Sequence, residues 1–184
     1  MKFPITVYGD PVLRRVAEPI SPDYPGLEEF LTHFWETMYY ADGVGLAAPQ
    51  VGLSIRIFVI DASIMADEDP SLAGFKKAFI NPTILETWGE TKVLEEGCLS
   101  LPEIRENVVR PNMVRIRYQD EKFEWHEEEY SGYVARVIQH EYDHLEGRMF
   151  VDYLSPLRRK ILRGRLMAIS RGKVTPHYKI RVPA

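Results

Sequence analysis

A single cysteine, Cys98, stands in a chain of 184 residues, so no internal disulfide can hold the fold and a reducing, cytoplasmic setting is expected. Long apolar runs are missing too. No stretch reaches the roughly 18 to 20 uninterrupted apolar residues that a membrane helix needs, and Met1-Lys2-Phe3-Pro4-Ile5 lacks the basic-then-apolar order of an export signal. Neither membrane insertion nor export is expected. Acidic residues are absent from 155–184, which carries nine bases, whereas 1–154 holds all 27 acids and 14 of the 23 bases. A solvated helix face balancing an acidic body explains this asymmetry, with an anionic partner for the tail as the alternative. Repeats, low-complexity tracts and long linkers are also lacking. What is present, 45% hydrophobic and 27% charged residues, fits one globular domain over 1–184, with a basic helix and tail from about 155 to 184.

The apolar residues Leu27, Phe30, Leu31, Phe34 and Met38 follow the spacing of one helix face, with Pro25 near the start. Asp42-Gly43-Val44-Gly45 breaks that period, and Ile55 to Ile60 reads as a short buried strand. The stretch from Asp61 to Ala73 has no periodicity and is expected to be an exposed, mobile loop. Thr91–Leu101, Val108–Val109, Val114–Tyr118 and Phe123–Trp125 read as short strands separated by Pro102, Pro111 and Asp120-Glu121. A second helix is expected from about Ser131 to Glu146, stopped by Gly147, with Val134, Val137, Ile138 and Leu145 on its apolar side. A third is signalled by Ser155 as N-cap, Pro156 in the first turn and Gly172 as stop. This order predicts an α+β fold, with mostly antiparallel sheet around a central helix and a C-terminal helix.

Within the second helix lies His140-Glu141-Tyr142-Asp143-His144. Histidines at i and i+4 project from one helix face and can bind one ion, while the glutamate between them can reach a water on that ion. A catalytic site of this kind has three protein ligands and one open position. No glutamate follows Glu146, Asp152 is too close in sequence to fold back, and the longer His-x-x-x-His-x-x-Gly-x-x-His pattern fails at Phe150. Cys98, His126 and His33 remain upstream and His177 downstream. A thiolate is the strongest of these ligands for a borderline-soft metal, which makes Cys98 the best candidate. With one thiolate and two neutral histidines the complex keeps a net positive charge that acidifies its water. Two rivals use the same helix: an endopeptidase cleaving internal bonds, and a structural zinc site with a fourth protein ligand such as His126.

Three segments together resemble the motifs of peptide deformylases: Gly43-Val44-Gly45-Leu46-Ala47-Ala48-Pro49-Gln50, Glu96-Gly97-Cys98-Leu99-Ser100, and Gln139-His140-Glu141-Tyr142-Asp143-His144-Leu145. The resemblance begins with Tyr8-Gly9-Asp10-Pro11-Val12-Leu13-Arg14 and covers roughly residues 5 to 154. It implies a catalytic domain that removes the formyl group from N-formylmethionyl peptides. Cys98, His140 and His144 would hold one divalent metal, ferrous iron in the cell, with zinc, nickel or cobalt as other occupants. Glu141 would act as base and then acid, and the Gln50 amide and Leu99 N–H would stabilise the developing oxyanion. Val44, Gly45, Leu99, Tyr133 and Val137 would bind substrate, with an extended peptide paired beside 43–50. Action on nascent chains would also give the basic segment a ribosomal RNA partner. No DNA or membrane partner is implied.

Overall fold

The computed structural model describes residues 1–184 and has a mixed α+β architecture. Helix α1 (Leu27–Tyr40) starts from Gly26, whose φ of 71° suits a residue without a Cβ. Its apolar stripe buries Phe30, Leu31, Phe34 and Met38. Five strands then form one antiparallel sheet in the order β2 (Gly45–Ala47), β3 (Ile57–Asp61), β4 (Lys76–Cys98), β5 (Leu101–Gln119), β6 (Trp125–Ser131). Helix α2 (Gly132–Leu145) packs on this sheet, and α3 (Pro156–Ser170) follows, its first turn capped by the Ser155 hydroxyl accepting from Arg158 N–H at 3.1 Å. A separate two-stranded parallel pair joins β1 (Ile5–Thr6) to β7 (Ile180–Arg181).

Strand β3 explains why its sequence is apolar without alternation. Phe58 and Ile60 face Val134, Ala135 and Ile138 of α2, while Ile57 and Val59 face Phe30, Phe34 and Met38 of α1. Both faces are covered, so every position is selected for burial. A third apolar cluster joins Leu162, Leu166 and Ile169 of α3 to Leu101, Ile104 and Val108 of β5, next to Phe150. Helix α2 is thereby the central layer, carrying its histidines toward the β4–β5 hairpin.

The strand boundaries differ from the expected ones. Pro102 and Pro111 lie inside β5 rather than between strands. Each sits beside a register irregularity, at Gly97/Cys98 and Trp88/Thr91, where the regular ladder is already interrupted. The strand expected from Thr91 begins at Lys76, because 85–95 is largely exposed and shows no apolar alternation to read. Phe123 sits in a turn at φ 61° instead of starting a strand, and β6 runs on through acidic residues to Ser131. Charges suit β6 because it is an edge strand. Residues 61–73 carry two short 3-10 turns, Ser63–Met65 and Pro70–Leu72, with Leu72 tucked into the core.

Candidate metal centre and catalytic cleft

Cys98 ends β4 and pairs with Leu101, so Leu99 and Ser100 form a two-residue turn. His140 and His144 stand one turn apart on α2, their ring centroids 5.3 Å from each other. The hairpin end and the helix face meet, bringing ligand atoms of Cys98, His140 and His144 within 4.8 Å of one another. Ligand bonds of roughly 2.0 to 2.3 Å at tetrahedral angles place neighbouring ligand atoms about 3.5 Å apart. The Cys98 Sγ to His144 Nε2 separation of 3.4 Å matches this, so the donor set fits a single first-row divalent ion.

The surroundings orient these ligands. Glu96 lies two residues before Cys98 and shares its strand face. Its carboxylate accepts from His140 Nδ1 at 2.8 Å, leaving His140 Nε2 free to ligate. The same carboxylate accepts from Arg110 Nε and Nη2 at 2.6 and 3.0 Å and from Arg136 Nη1 at 2.7 Å. Arg110 Nη1 also donates to Asp143 at 2.8 Å. Glu96, Arg110 and Arg136 are all buried. Burial alone would raise the Glu96 pKa, but the hydrogen bonds from His140 and Arg110 outweigh it and hold the carboxyl well below its usual range.

Glu141 follows His140 on the helix and is 4% exposed, with its Oε2 buried and without a hydrogen-bond partner. Burial pushes its pKa up to about 7, partly opposed by the nearby His140 charge. Gly45 makes room for it: a Cβ there would stand 2.8 Å from Glu141 Cγ and 2.9 Å from its Oε1. Gln50, in the 3-10 turn after β2, is 2% exposed and fixed by Ala47 N–H donating to its Oε1 at 3.0 Å. Its Nε2 consequently points at Ser100 Oγ (3.2 Å) and Cys98 Sγ (3.5 Å).

A cleft of about 500 Å³ opens over this centre. Val44, Gly45, Gln50, Leu99, Tyr133, Val137 and Glu141 all line it, as do Cys98 and His140, while His144 lies behind them and is 1% exposed. The other histidines are elsewhere: His33 beside the Met1 amino group, His126 on Asp120, and His177 on the Tyr40 carbonyl. His126 supplies no fourth ligand to the cluster. Reading the residues did not single out Arg110, Arg136 or Asp143, whose partners are remote in sequence. It also passed over the positioning role of Glu96, although strand periodicity aligned Glu96 with Cys98. Tyr178 went unnoticed as well; it enters the cleft from the tail, with its hydroxyl on the Leu99 carbonyl at 2.8 Å.

A two-element donor set with an adjacent buried carboxylate, in this α+β frame, places the chain among metal-dependent hydrolases. Comparison with known proteins narrows that class. The polypeptide deformylase family model matches residues 2–160. A peptide deformylase of Christiangramia forsetii is 50% identical over 190 residues, 100% of this chain and 97% of that protein. The crystal structure of peptide deformylase from Thermotoga maritima is 46% identical with a TM-score of 0.76, covering 85% of this chain and 99% of that one. That from Thermus thermophilus is 38% identical with a TM-score of 0.82, covering 94% and 99%. The chain belongs to the polypeptide deformylase family. The endopeptidase alternative is not favoured.

Proposed function

We propose that Cys98, His140 and His144 hold one divalent metal and that the cleft above them hydrolyses the formyl group of N-formylmethionyl peptides, releasing formate. The observation that carries this reading is the three-ligand cluster beside the unpartnered, buried Glu141 Oε2. When bound, the metal supplies Lewis acidity that acidifies water and polarises a carbonyl. Glu141 takes the proton from the attacking water and passes it to the departing amine. The Gln50 Nε2 and the Leu99 N–H donate to the oxygen on which charge develops. In support, Leu99 N–H has no acceptor within the protein.

Val44, Leu99, Tyr133 and Val137 form the apolar wall for the methionine side chain, and the bare backbone at Gly45 keeps the reacting end narrow enough to select formyl. Strand β2 is an edge of the sheet, paired only to β3, so an extended peptide can add beside it, with Gly45 within the pairing edge. Sulfur and imidazole ligands accept zinc, iron, nickel or cobalt; the resemblance to the family favours ferrous iron in the cell. A thiolate-bound iron predicts loss of activity in air.

The whole chain acts as one catalytic domain in the cytoplasm, and the bases of α3 face ribosomal RNA. Ribosome association that survives neutralising Arg158, Arg159, Lys160 and Arg163 would remove that last assignment. Formate release from formyl-Met-Ala by anaerobically purified protein, with metal measured on the same sample, tests the main reading. Release by the wild type and none by a metal-loaded Glu141→Ala is expected; a metal-loaded wild type that releases no formate refutes it.

A further inference from the structure

The tail beyond α3 lies outside the family match, which ends at residue 160. It folds back across the molecule as a strap. Groups other than Tyr178 also hold it to the body. Ile5 N–H donates to the Lys179 carbonyl at 2.8 Å and Val7 N–H to the Arg181 carbonyl at 3.2 Å. The Arg181 guanidinium lies against Gly52, where a Cβ would come within 2.6 Å of it, and reaches Asp10 at 3.4 Å. His177 Nε2 donates to the Tyr40 carbonyl at 2.8 Å, and the Tyr40 hydroxyl donates back to the His177 carbonyl at 3.3 Å.

Tyr178 is thereby carried to the turn between β4 and β5. That turn has three outward polar groups, each held by a different part of the chain. Tyr8 N–H donates to the Ser100 carbonyl at 3.0 Å, Gln50 Nε2 donates to Ser100 Oγ at 3.2 Å, and the Tyr178 hydroxyl donates to the Leu99 carbonyl at 2.8 Å. No other protein group donates to the Leu99 carbonyl. The Leu99–Ser100 turn closes the hairpin where its register shifts at Gly97/Cys98, so the Leu99 carbonyl has no partner in the β ladder. The Leu99 N–H belongs to the Cys98–Leu99 peptide and the carbonyl to the next one, so holding the carbonyl restrains the N–H through the two backbone torsions of Leu99.

We infer that Tyr178 is a positioning residue for deformylation: by fixing the Leu99 carbonyl it aims the Leu99 N–H at the reacting oxygen, making the C-terminal strap part of the active site. This rests on the reading of Leu99 N–H as an oxyanion donor. A donor held in advance acts on the transition state more than on the bound substrate, so its loosening reduces kcat rather than raising KM.

The test is Tyr178→Phe in the full-length, metal-loaded protein, assayed for formate release from formyl-Met-Ala with metal content and thermal midpoint measured alongside. The ring stays and only the hydroxyl goes. The expected result is a kcat about tenfold lower, equivalent to losing one hydrogen bond of about 1.4 kcal/mol, with KM within about twofold and metal content and midpoint as in the wild type. A wild-type kcat in the variant overturns the inference. So does a loss confined to KM, or one matched by lost metal or a lower midpoint. Formate release by the wild type in the same assay separates this outcome from failure of the underlying reading, whose failure would remove both.

Discussion

Replacing Glu96 by glutamine keeps its shape and removes one buried charge, which sets a sharp test of the network behind the metal centre. In the native protein two guanidinium groups, Arg110 and Arg136, face two carboxylates, Glu96 and Asp143, and His140 donates its Nδ1–H to Glu96. Glutamine leaves one uncompensated positive charge among groups that are nearly inaccessible to solvent. Breaking a buried ion pair from one side destabilises by about 3 to 5 kcal/mol. A glutamine oxygen can still accept from one arginine, so the lower figure is the expectation. The His140 ring loses its charged acceptor in the same step, which reduces metal affinity by about 10 to 100-fold. Urea unfolding of the chelated protein measures the first effect and competition with a chelating dye the second. The pH dependence has a definite sign. Because the folded carboxyl titrates below its unfolded range, its stabilisation is complete above the ordinary glutamate pKa and is lost only as the solution becomes strongly acidic. A Glu96→Gln protein within about 1 kcal/mol of the wild type, with unchanged metal affinity, would refute the reasoning.

Glu141 gives the opposite pH dependence in the metal-free protein. Its pKa rises from 4.5 to about 7 on folding, so ionising it costs stability progressively from about pH 4.5 to above 7, up to about 3 kcal/mol. Glu141→Gln should therefore gain stability relative to the wild type between pH 5 and 8 in urea titrations with chelator, while losing activity when metal is restored; parallel pH profiles would contradict this. Gly45→Ala should displace the Glu141 carboxylate, which a Cβ would meet at 2.8 to 3.0 Å, and lower kcat about 10²-fold or more for a displacement near 1 Å. Near wild-type kcat in that variant would show that the carboxylate has room to move.

The three helices were legible because each carries an apolar stripe at helical spacing, and two have a recognisable stop or cap. The hairpin of β4 and β5 was legible only near its ends. Over 85–95 the residues of β4 are exposed on both sides, so burial imposes no alternation, and the prolines of β5 sit where irregular pairing tolerates them. The metal cluster could be read from residues because two ligands are one helical turn apart and the third is the lone cysteine. Gln50 and Leu99 acquired roles only through the resemblance, since a polar loop residue and a backbone N–H have no pattern of their own. The partners of Glu96 come from two other elements, and nothing local in Arg110 or Arg136 announces that they meet.

The pairing of β1 with β7 also orders events during synthesis. The first strand leaves the ribosome early, yet Ile5 and Val7 N–H find their acceptors only when Lys179 and Arg181 have emerged. A chain made as far as α3 already contains Cys98, His140, His144 and Glu141, so every proposed ligand precedes the joining of its ends. Tyr178 comes in the same late stretch, after all four of these residues. Joining β1 to β7 thus follows the synthesis of every proposed ligand, and on the inference above it is the step that firms the turn beside the metal site.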